Sequence, residues 1–500
     1  MTYTADCSFW DPAISLPSLH FTTLELTAGI TIRKPVLTTP VLSTILTALE
    51  QQRKDYLASH SLPDVFDTVM DLIAEWADPE SPWRRIAHEI LPPITGFSAR
   101  MIEDWGFNIF LQSLNPRNLP LTGRLDPHQY RHFVPYCTGY LKAAGKTLAK
   151  YENDQPRLIG HICAGNIVGL PAVEMIIDKL VDAATWVKPS TEEPVFAALF
   201  AKSMESLDPD LAHTIAVLPL DSSQADLNEF LFRKSDLVRA TGGEVARHSL
   251  ETVAQSCKVP LAGHWHKFSF IVVSREYLGD EVSRVAGLAA LDVSAWDQQG
   301  CFSPQVVFVE KGGRTSPREF AERLARELDG MRTVLPKGSK AGKISVVEGY
   351  QEALKKQLLG LPVQVFTTRG HEYLVVYDET CDSPEPSPQF RAITVRPVDD
   401  IGQIAEVMRP LHRFLQTIGV AVPLDRLLPF ADTLGVCGAT NVRVLGEMTL
   451  QQSWEPWDGR FPLEELIRDD GVSWVSISFQ DMKAALDGSM ARLQSLAKTA

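Results

Sequence analysis

The sequence predicts an α/β protein, with two α/β domains that follow a mostly helical N-terminal region. Between residues 157 and 273, short apolar runs alternate with amphipathic helical segments, and a second series of this kind spans 281–397. Strands separated by helices of this length form parallel sheets. A chain of 500 residues is also too long for one core, so two to four domains or subdomains are expected.

Residues 1–150 are expected to be mostly helical after a Pro- and Thr-rich opening, and to pack on the domain that follows. Apolar residues recur at helical spacing in 40–46 and 65–73. Breaks rich in Pro and Asn follow at 91–93 and 115–118.

Residues 151–275 predict a Rossmann-like nucleotide-binding domain, because strands and helices alternate regularly there. The predicted strands are 158–163, 185–187, 213–218, 237–239 and 268–273. The predicted helices between them are 171–180, 194–204, 225–232 and 245–255.

Residues 276–435 predict a second α/β domain that carries Cys301. Its predicted helices are 281–291 and 317–330, and its predicted strands are 306–310, 373–377 and 393–397. The Pro-rich stretch 381–388 predicts a rigid exposed loop. Residues 436–500 are expected to return to the core or to form an oligomer interface.

Composition and charge exclude several classes of protein. Apolar residues make up 45% and charged residues 22% of the chain, as in soluble globular proteins. The net charge of −14 disfavours non-specific binding to nucleic acid or anionic membranes. The chain opens without a secretory signal, and no apolar run approaches the ~20 residues of a membrane span.

The cysteines indicate a reduced, cytoplasmic protein without a metal site. They stand at positions 7, 137, 163, 257, 301, 381 and 437, odd in number, scattered, and without a CxxC pair. This pattern suggests neither a zinc site nor a disulfide framework.

Three turns of the first α/β series carry candidate ligand-binding residues. Asn166 lies between a strand and a helix, where its amide can donate to an oxyanion, although Asn also serves as a turn former or cap. Lys188 ends the next strand and faces the ligand crevice of a doubly wound sheet, unless it is a surface lysine. Gly242 and Gly243 open a helix as a pyrophosphate site would, but without a GxGxxG pattern.

Cys301 is the candidate nucleophile. It stands behind Gln-Gly in the stretch WDQQGCFSPQ at 296–305. Gly300 permits both a close approach and the unusual dihedrals of a strained nucleophile turn. The alternative is a small buried apolar residue, which is the commoner role of a lone cysteine.

The order of Asn166, Lys188, Gly242 and Cys301 resembles the aldehyde dehydrogenase superfamily, with VKPSTEEP at 187–194 as the most specific local match. A closer resemblance is to the long-chain acyl-CoA (fatty acid) reductases of the LuxC type, and it covers roughly residues 90–470. It is carried by ITGFSARMI at 94–102, HICAGN at 161–166, WDQQGCFSPQ at 296–305, RVLG at 443–446 and WDGR at 457–460.

This resemblance implies an aldehyde-dehydrogenase-like fold and reduction of an acyl thioester to an aldehyde. Cys301 would take the acyl group from coenzyme A or a carrier protein, and a nicotinamide cofactor would deliver hydride to the acyl-enzyme. Asn166 and the backbone N–H of Cys301 would form the oxyanion hole. An acyl-activating or acyl-transferring partner enzyme and a homo-oligomer are also implied.

Two departures from the superfamily refine the expectation. Hydrolytic members carry a water-activating glutamate after the cofactor domain, but 261–267 reads LAGHWHK, without a carboxylate. Its absence favours the reductive direction. His264 and His266 are candidate proton donors there, with packing or surface roles as the alternative.

The second departure is Thr191. NAD-preferring relatives often place at this point a glutamate, which would repel a 2′-phosphate. Lys188, Ser190 and Thr191 are therefore the expected ribose and phosphate contacts, and NADPH is the preferred donor. The neighbouring Glu192 keeps NADH as the alternative. The superfamily's Glu-x-Phe motif has no clear equivalent near 387–390.

Three other functions compete with this one. An aldehyde dehydrogenase would oxidise aldehyde to acid, which the missing carboxylate disfavours. A cysteine acyltransferase or thioesterase would use Cys301 without redox chemistry, and the cofactor-type turns disfavour it. A non-catalytic assembly subunit would need neither Cys301 nor Asn166.

Overall fold

The computed structural model describes residues 3–27, 29–109, 111, 156–179, 181–339, 342–380, 385–450, 457–460, 476–477, 479 and 481–499. The chain divides into two compact units. The first takes in Met1–Thr95 and Ile102–Trp265, and the second takes in Gly96–Met101, His266–Phe461 and Gly471–Ala500. The predicted break at 115–118 lies outside the described residues, as does part of the predicted loop 381–388.

The first unit opens with a small sheet that the sequence interpretation did not include. Its strands are β1 (Tyr3–Asp6), β2 (His20–Thr27) and β3 (Ile30–Val36), in the order β1-β3-β2. Threonine and other β-branched residues fill β2 and β3 and favour extended backbone. The Thr-rich opening is therefore partly strand.

Three helices follow this sheet, in agreement with the helical spacing of 40–46 and 65–73. They are α1 (Thr39–Ser59), α2 (Leu62–Ala77) and α3 (Pro82–Thr95). Ser61 and Asp64 form a capping box that begins α2. The predicted Pro break at 91–93 is wrong, because Pro92 and Pro93 lie within the final turn of α3. A π-helix, Ile102–Ile109, comes next.

A five-stranded parallel sheet forms the centre of the first unit and confirms the Rossmann-like strand–helix alternation. Its strands are β4 (Leu158–Ile162), β5 (Ala184–Lys188), β6 (Ile215–Val217), β7 (Leu237–Thr241) and β8 (Leu261–His264). The main intervening helices are α4 (Leu170–Lys179), α5 (Phe196–Glu205), α6 (Ala225–Lys234) and α7 (Glu244–Cys257).

The strand order is β6-β5-β4-β7-β8. The chain thus starts at the central strand, winds outward to one edge, and returns to build the other side. The winding direction reverses between β4 and β7, and open α/β sheets bind ligands at such a switch point, beyond the carboxyl ends of the strands.

The strand at 268–273 is the main correction to the predicted topology. It was expected as the fifth strand of the nucleotide-binding sheet, but β9 (Phe268–Val273) pairs with β10 and β14 in the second unit. Every residue of β9 is buried, as in a strand that is covered on both faces. The fifth position in the first sheet belongs to the four-residue β8.

The second unit is built on an eight-stranded sheet in the order β11-β12-β13-β10-β9-β14-β15-β16. Its remaining strands are β10 (Pro304–Glu310), β11 (Val363–Thr367), β12 (Leu374–Asp378), β13 (Ala392–Val398), β14 (Leu415–Ala421), β15 (Asn441–Val444) and β16 (Ser476–Ile477). Only β11 runs antiparallel to its neighbour.

Helices cover this sheet and complete the α/β architecture. They are α8 (Val282–Ser294), α9 (Pro317–Val334), α10 (Lys343–Leu358), α11 (Leu424–Val436) and α12 (Met482–Thr499). Helix α10 packs on β11 and β12. In the part of the chain that the structure describes, no helix combines the length and the apolar character that crossing a bilayer requires.

Candidate active site

The candidate oxyanion donor Asn166 and the predicted cofactor residues of the first unit lie along the carboxyl edge of its five-stranded sheet. Asn166 is half-buried in the loop after β4, Lys188 is the last residue of β5, and Gly242 and Gly243 follow β7. These strands are neighbours in the sheet. The three loops therefore surround the switch point, which is where a dinucleotide would bind.

Lys188 is an ammonium group without a fixed partner. Over the described ranges no hydrogen bond or ion pair reaches it, whereas nearby Lys34 and Asp221 pair at 2.8 Å. Burial lowers the pKa of Lys188, and the negative charge of Asp221 only partly opposes this effect. A half-buried cation of this kind suits a phosphate or a ribose hydroxyl.

Close packing joins the Asn166 loop to the segment after Lys188. A Cβ on Gly165 would lie 2.6 Å from Ser190 Oγ and 2.9 Å from Glu192 Cβ, so only glycine fits at that position. The Cys163 N–H also donates to the Lys188 carbonyl at 3.1 Å. Thr191 is exposed beside them.

The turn after β7 leaves the beginning of α7 open. Gly243 caps this 14-residue helix, and nothing lies within 4 Å of the position that its Cβ would take. Gly242 donates its N–H to the His264 carbonyl at 3.1 Å, which ties the turn to β8. Unpaired N–H groups at an accessible helix start favour an anionic ligand.

A buried polar cluster lies below this edge of the sheet. His161 Nε2 is 2.7 Å from Asp178 Oδ2, and its Nδ1 is 3.2 Å from Glu174 Oε2. Burial alone would lower the pKa of His161, but the two carboxylates outweigh it and raise that pKa to about 9. Cys163 donates towards Glu174 at 3.5 Å, and burial raises its pKa well above the usual value. Cys163 is therefore a poor nucleophile.

Cys301 lies in the second unit, half-buried in the turn that leads into β10. The Ser269 hydroxyl donates to the Cys301 carbonyl at 2.9 Å and accepts from the Thr417 N–H at 3.2 Å. The turn is closed by the Ser303 N–H, which donates to the Gly300 carbonyl at 3.0 Å. These bonds fix the backbone of Cys301 to two central strands, β9 and β14.

The strain in this turn precedes Gly300. Trp296, Asp297 and Gln298 have φ values of 53°, 47° and 65°, which place three consecutive non-glycine residues in the left-handed region. Such residues cost ~1–2 kcal/mol each. The expectation that Gly300 itself takes the unusual dihedrals is wrong, because its φ is not positive. Its close approach is real: a Cβ there would lie 2.6 Å from the Phe302 ring.

Three polar residues that the sequence interpretation did not assign to the site surround the Cys301 thiol. Lys267 Nζ lies 3.5 Å from Asp458 Oδ1, and the Gln416 amide donates to the same oxygen at 2.7 Å. Burial raises the pKa of Cys301 to about 11, with a further increase from Asp458, whereas Gln416 and Lys267 lower it. The thiol thus has a cation, a carboxylate and an amide beside it.

A tight turn brings Asp458 to this position. Trp457 and Arg460 exchange both backbone hydrogen bonds, and Asp458 and Gly459 between them have φ values of 49° and 85°. Asp-Gly is a preferred pair for such a two-residue turn. The Asp-Gly pair could have predicted the turn, but nothing local connects it with Cys301.

The two candidate histidines, two residues apart in the chain, are assigned to different units. His264 ends β8 in the first unit, half-buried, and its charge acts on Glu174 of the buried cluster. His266 is exposed at the start of the second unit and packs near Phe414, with ring centroids 6.4 Å apart. The predicted site residues thus divide between the units, with only His266 and Cys301 in the second.

Comparison with known proteins gives a family match over most of the chain. Residues 57–469 match the family described as acyl-CoA reductase (LuxC). A long-chain acyl-protein thioester reductase of Photorhabdus luminescens is 24% identical over 440 residues, which are 86% of this chain and 85% of that protein. A protein of the same name from Aliivibrio fischeri is 24% identical over 64% of each chain.

Solved structures show what the fold is similar to. An aldehyde dehydrogenase 21 from Physcomitrella patens aligns with a TM-score of 0.65 and 11% identity, over 93% of this chain and 96% of that one. An enzyme described as a methylmalonate-semialdehyde dehydrogenase, from Sinorhizobium meliloti and complexed with NAD, gives 0.63 and 13%, over 95% of both chains. The predicted aldehyde-dehydrogenase-like fold is confirmed.

Proposed function

The chain belongs to the acyl-CoA reductase (LuxC) family, and from this membership we propose that it reduces an acyl thioester to an aldehyde through an acyl-enzyme on Cys301. The observation that carries the proposal is the setting of Cys301. Cys301 is a half-buried residue in the turn that leads into β10, its backbone is fixed by hydrogen bonds, and Lys267, Gln416 and Asp458 lie near its thiol.

The first step is acyl transfer to Cys301. The sulfur attacks the thioester carbonyl, a bond forms between Sγ and the acyl carbon, and the bond from that carbon to the carrier sulfur breaks. The proton lost by the Cys301 thiol leaves with the carrier thiol. One thioester replaces another, so the step is nearly balanced in energy.

Charge near the thiol controls how much thiolate is present. With a pKa of about 11, Cys301 is mostly protonated at neutral pH. Lys267 and Gln416 stabilise the thiolate, whereas the negative charge of Asp458 destabilises it. Asp458 is itself paired with Lys267 and hydrogen-bonded to Gln416. In our proposal Gln416 and Lys267 oppose part of the rise in the pKa of Cys301 and so increase the small fraction of reactive thiolate.

The oxyanion formed at the acyl carbon needs hydrogen-bond donors. We assign this role to the backbone N–H of Cys301 and the side-chain amide of Asn166, as the family resemblance implies. Removal of one such donor typically costs ~10²–10³ in rate. His264 and His266 remain our candidates for proton delivery to the product or to the leaving thiol.

The first unit fits a nicotinamide dinucleotide. The ammonium of Lys188 has no hydrogen bond or ion pair to any residue that the structure describes, and Gly243 leaves the start of α7 open at the switch point of the sheet. Lys188, Ser190 and Thr191 would hold the ribose and its phosphate, and Gly242 and Gly243 would contact the pyrophosphate. When bound, the cofactor supplies the hydride that reduces the acyl group.

NADPH is the proposed donor, with NADH as the alternative. Thr191 is exposed and uncharged where a glutamate would repel a 2′-phosphate, and Lys188 nearby would attract one. The fold itself does not choose between the two, since one solved neighbour, from Bacillus halodurans, is complexed with NADP and another, from Sinorhizobium meliloti, with NAD.

The direction of the reaction follows from the carboxylates near Cys301. The segment 261–267, LAGHWHK, contains no carboxylate. Asp458 does supply one, but Gln416 and Lys267 occupy its Oδ1. We propose that this engagement keeps Asp458 from activating water, so that the acyl-enzyme is reduced and not hydrolysed.

The acyl donor is proposed to be a carrier-bound or coenzyme A thioester. The relatives are named acyl-protein thioester reductases, which favours an acyl group delivered on a protein. A partner enzyme that activates or transfers the acyl group, and a homo-oligomeric state, complete the proposal.

One assay tests the function. The purified protein is given NADPH or NADH with a panel of acyl-CoA and acyl-carrier thioesters, and cofactor oxidation and aldehyde are measured. Cys301→Ala should abolish turnover and acyl labelling in mass spectrometry. Cys257→Ala, which changes another half-buried thiol, should retain both.

The contrary outcomes are distinct. No cofactor consumption with any thioester would exclude the reductase. Acyl labelling without cofactor consumption would indicate an acyltransferase. NAD(P)H formation from free aldehyde without a carrier thiol would indicate an aldehyde dehydrogenase, and labelling that persists in Cys301→Ala would show a different nucleophile.

A further inference from the structure

A cavity lies in the second unit, between α10 and one face of the eight-stranded sheet. Its volume is about 130 Å³. Val306, Leu374 and Val376 line it from β10 and β12, and Ala353 and Lys356 line it from α10. The residues around Cys301 do not contribute to its lining.

Arg396 lines the same cavity from β13, and none of the residues that the structure describes is its counterion. The residue is only 7% exposed, and its Nη1 is completely buried without a hydrogen-bond partner. Among the residues that the structure describes, no ion pair or hydrogen bond reaches its guanidinium. Its guanidinium makes a cation–π contact with the Phe308 ring, whose centroid lies 5.8 Å from the Arg396 Cζ.

The other charges at the cavity do not neutralise Arg396. Lys356 Nζ pairs with Asp378 Oδ2 at 3.2 Å, and the Asp378 side chain is almost fully buried there. These two cancel. Glu352 and Glu385 are exposed at the rim, where water solvates them. The inner wall therefore carries one uncompensated positive charge.

An uncompensated buried guanidinium is energetically unfavourable, and an anion bound against it would remove that penalty. A carboxylate matches the planar fork of arginine with two parallel hydrogen bonds. Val306, Leu374 and Val376 form an apolar part of the lining, which favours an alkyl group on the rest of the ligand. A cavity of about 150 Å³ accommodates benzene, which has six heavy atoms, and butanoate has the same number.

We propose that this cavity binds a short-chain aliphatic monocarboxylate, with Arg396 as the counterion of the carboxylate and the walls of β10, β12 and α10 around its alkyl chain. The site is separate from Cys301 and does not depend on the proposed function. It would take an organic acid of about four carbons.

Sodium butanoate is the probe, and the full-length protein is the sample. Saturation-transfer NMR reports contact with the butanoate methyl and methylene protons, and a titration gives the dissociation constant. Butylamine, with the same chain and the opposite charge, and sodium chloride at equal ionic strength are the ligand controls. Butanoate should bind saturably, whereas butylamine should not.

Arg396→Met keeps the length of the side chain and removes its charge. It should weaken butanoate binding at least tenfold, while its thermal midpoint without ligand is unchanged or higher, because a buried unpaired charge has been removed. The matched control is Lys355→Met on the exposed side of α10, where Lys355 pairs only loosely with Glu352 at 3.8 Å. It should bind within twofold of the unmodified protein.

Ala353→Leu is the second variant, since it fills the cavity from α10 without a change of charge. It should also lose butanoate binding. The proposal is overturned if millimolar butanoate gives no saturable signal. It is equally overturned if Arg396→Met and Ala353→Leu, each with a cooperative thermal transition, bind butanoate as well as Lys355→Met does.

Discussion

Arg391 Nη2 lies 2.8 Å from Asp297 Oδ1 in an ion pair that is almost completely shielded from solvent. Each partner belongs to a run of three left-handed residues, 296–298 and 389–391. Asp297 Oδ2 also accepts the Gly338 N–H at 2.9 Å, and its carbonyl accepts the Phe390 N–H at 3.0 Å. The pair therefore holds together two strained segments, one of which leads directly to Cys301.

The first prediction concerns this ion pair. Arg391→Met should lower the free energy of unfolding by ~3–5 kcal/mol, because it leaves Asp297 buried without its partner. The acylation rate of Cys301 should fall with it as the strained turn relaxes. Urea denaturation and acyl labelling measure the two effects. Arg332→Met, which breaks a half-exposed pair with Asp329 on α9, should change stability by less than ~1 kcal/mol. Equal losses in both variants would contradict this role.

The second prediction concerns the Cys301 thiol. Its alkylation by iodoacetamide should increase with pH beyond 9, since its pKa is about 11. Asp458→Asn should move the profile to lower pH by removing a negative charge, and Lys267→Met should move it to higher pH. Peptide mass spectrometry of Cys301 measures the rates, with Asp329→Asn on α9 as an unshifted control. Shifts in the opposite directions would show that these groups do not control the thiol.

The third prediction concerns Gly300. Gly300→Ala should reduce both acylation and stability, because the new Cβ would lie 2.6 Å from the Phe302 ring and 3.2 Å from Ser303 Oγ. Adding Phe302→Leu should restore part of the loss. Gly330→Ala is the control, since nothing lies within 4 Å of that Cβ in α9 and helical alanine gains ~0.5–1 kcal/mol. Thermal unfolding and acyl labelling follow all three, and no rescue by Phe302→Leu would refute the steric explanation.

The fourth prediction concerns pH and the buried His161. Its pKa is raised from 6.5 to about 9, so its contribution to stability is complete below pH 6.5 and is lost as pH rises through 9. The loss is at most about 1.4 kcal/mol per pH unit. Asp178→Asn removes one of the two carboxylates that raise this pKa and should shift the window to lower pH. Urea denaturation midpoints from pH 6 to 9.5 measure this loss of stability. His248→Gln, on the exposed side of α7, should leave the pH dependence unchanged.

The fifth prediction concerns the choice of cofactor. Thr191→Glu should weaken NADPH binding about tenfold or more relative to NADH, through repulsion of the 2′-phosphate. Lys188→Met should weaken both, and NADPH more strongly. Cofactor fluorescence titrations measure the constants. Glu229→Gln on α6, in an exposed pair with Arg233, serves as the control. An unchanged ratio in Thr191→Glu would place the 2′-phosphate elsewhere.

Local sequence patterns were sufficient for the order of elements. The alternation of apolar runs and helical segments from 157 onward predicts β4 to β7 and α4 to α7 within a few residues, because each element is specified by its own periodicity. The sequence also predicts that the residues at the carboxyl ends of β4, β5 and β7 lie near one another, since the carboxyl ends of parallel strands meet at one edge of the sheet. Their roles remain predictions.

The sequence did not predict which sheet each strand joins. β8 and β9 are separated by only three residues, yet they belong to different sheets. A short apolar run shows that a strand is buried, but it does not name the strands that will flank it. The small opening sheet was missed for a related reason, because threonine-rich segments are compatible with either loops or strands.

The sequence by itself determined that Cys301 stands on a glycine turn before a buried strand, within an α/β chain that resembles a known family. Only the tertiary structure decided what surrounds its thiol. Lys267, Gln416 and Asp458 come from three distant segments, and Arg391 reaches Asp297 across 94 positions. Such contacts depend on the order of strands in the sheet and on tight turns, and neither is encoded in the local periodicity that makes the elements predictable.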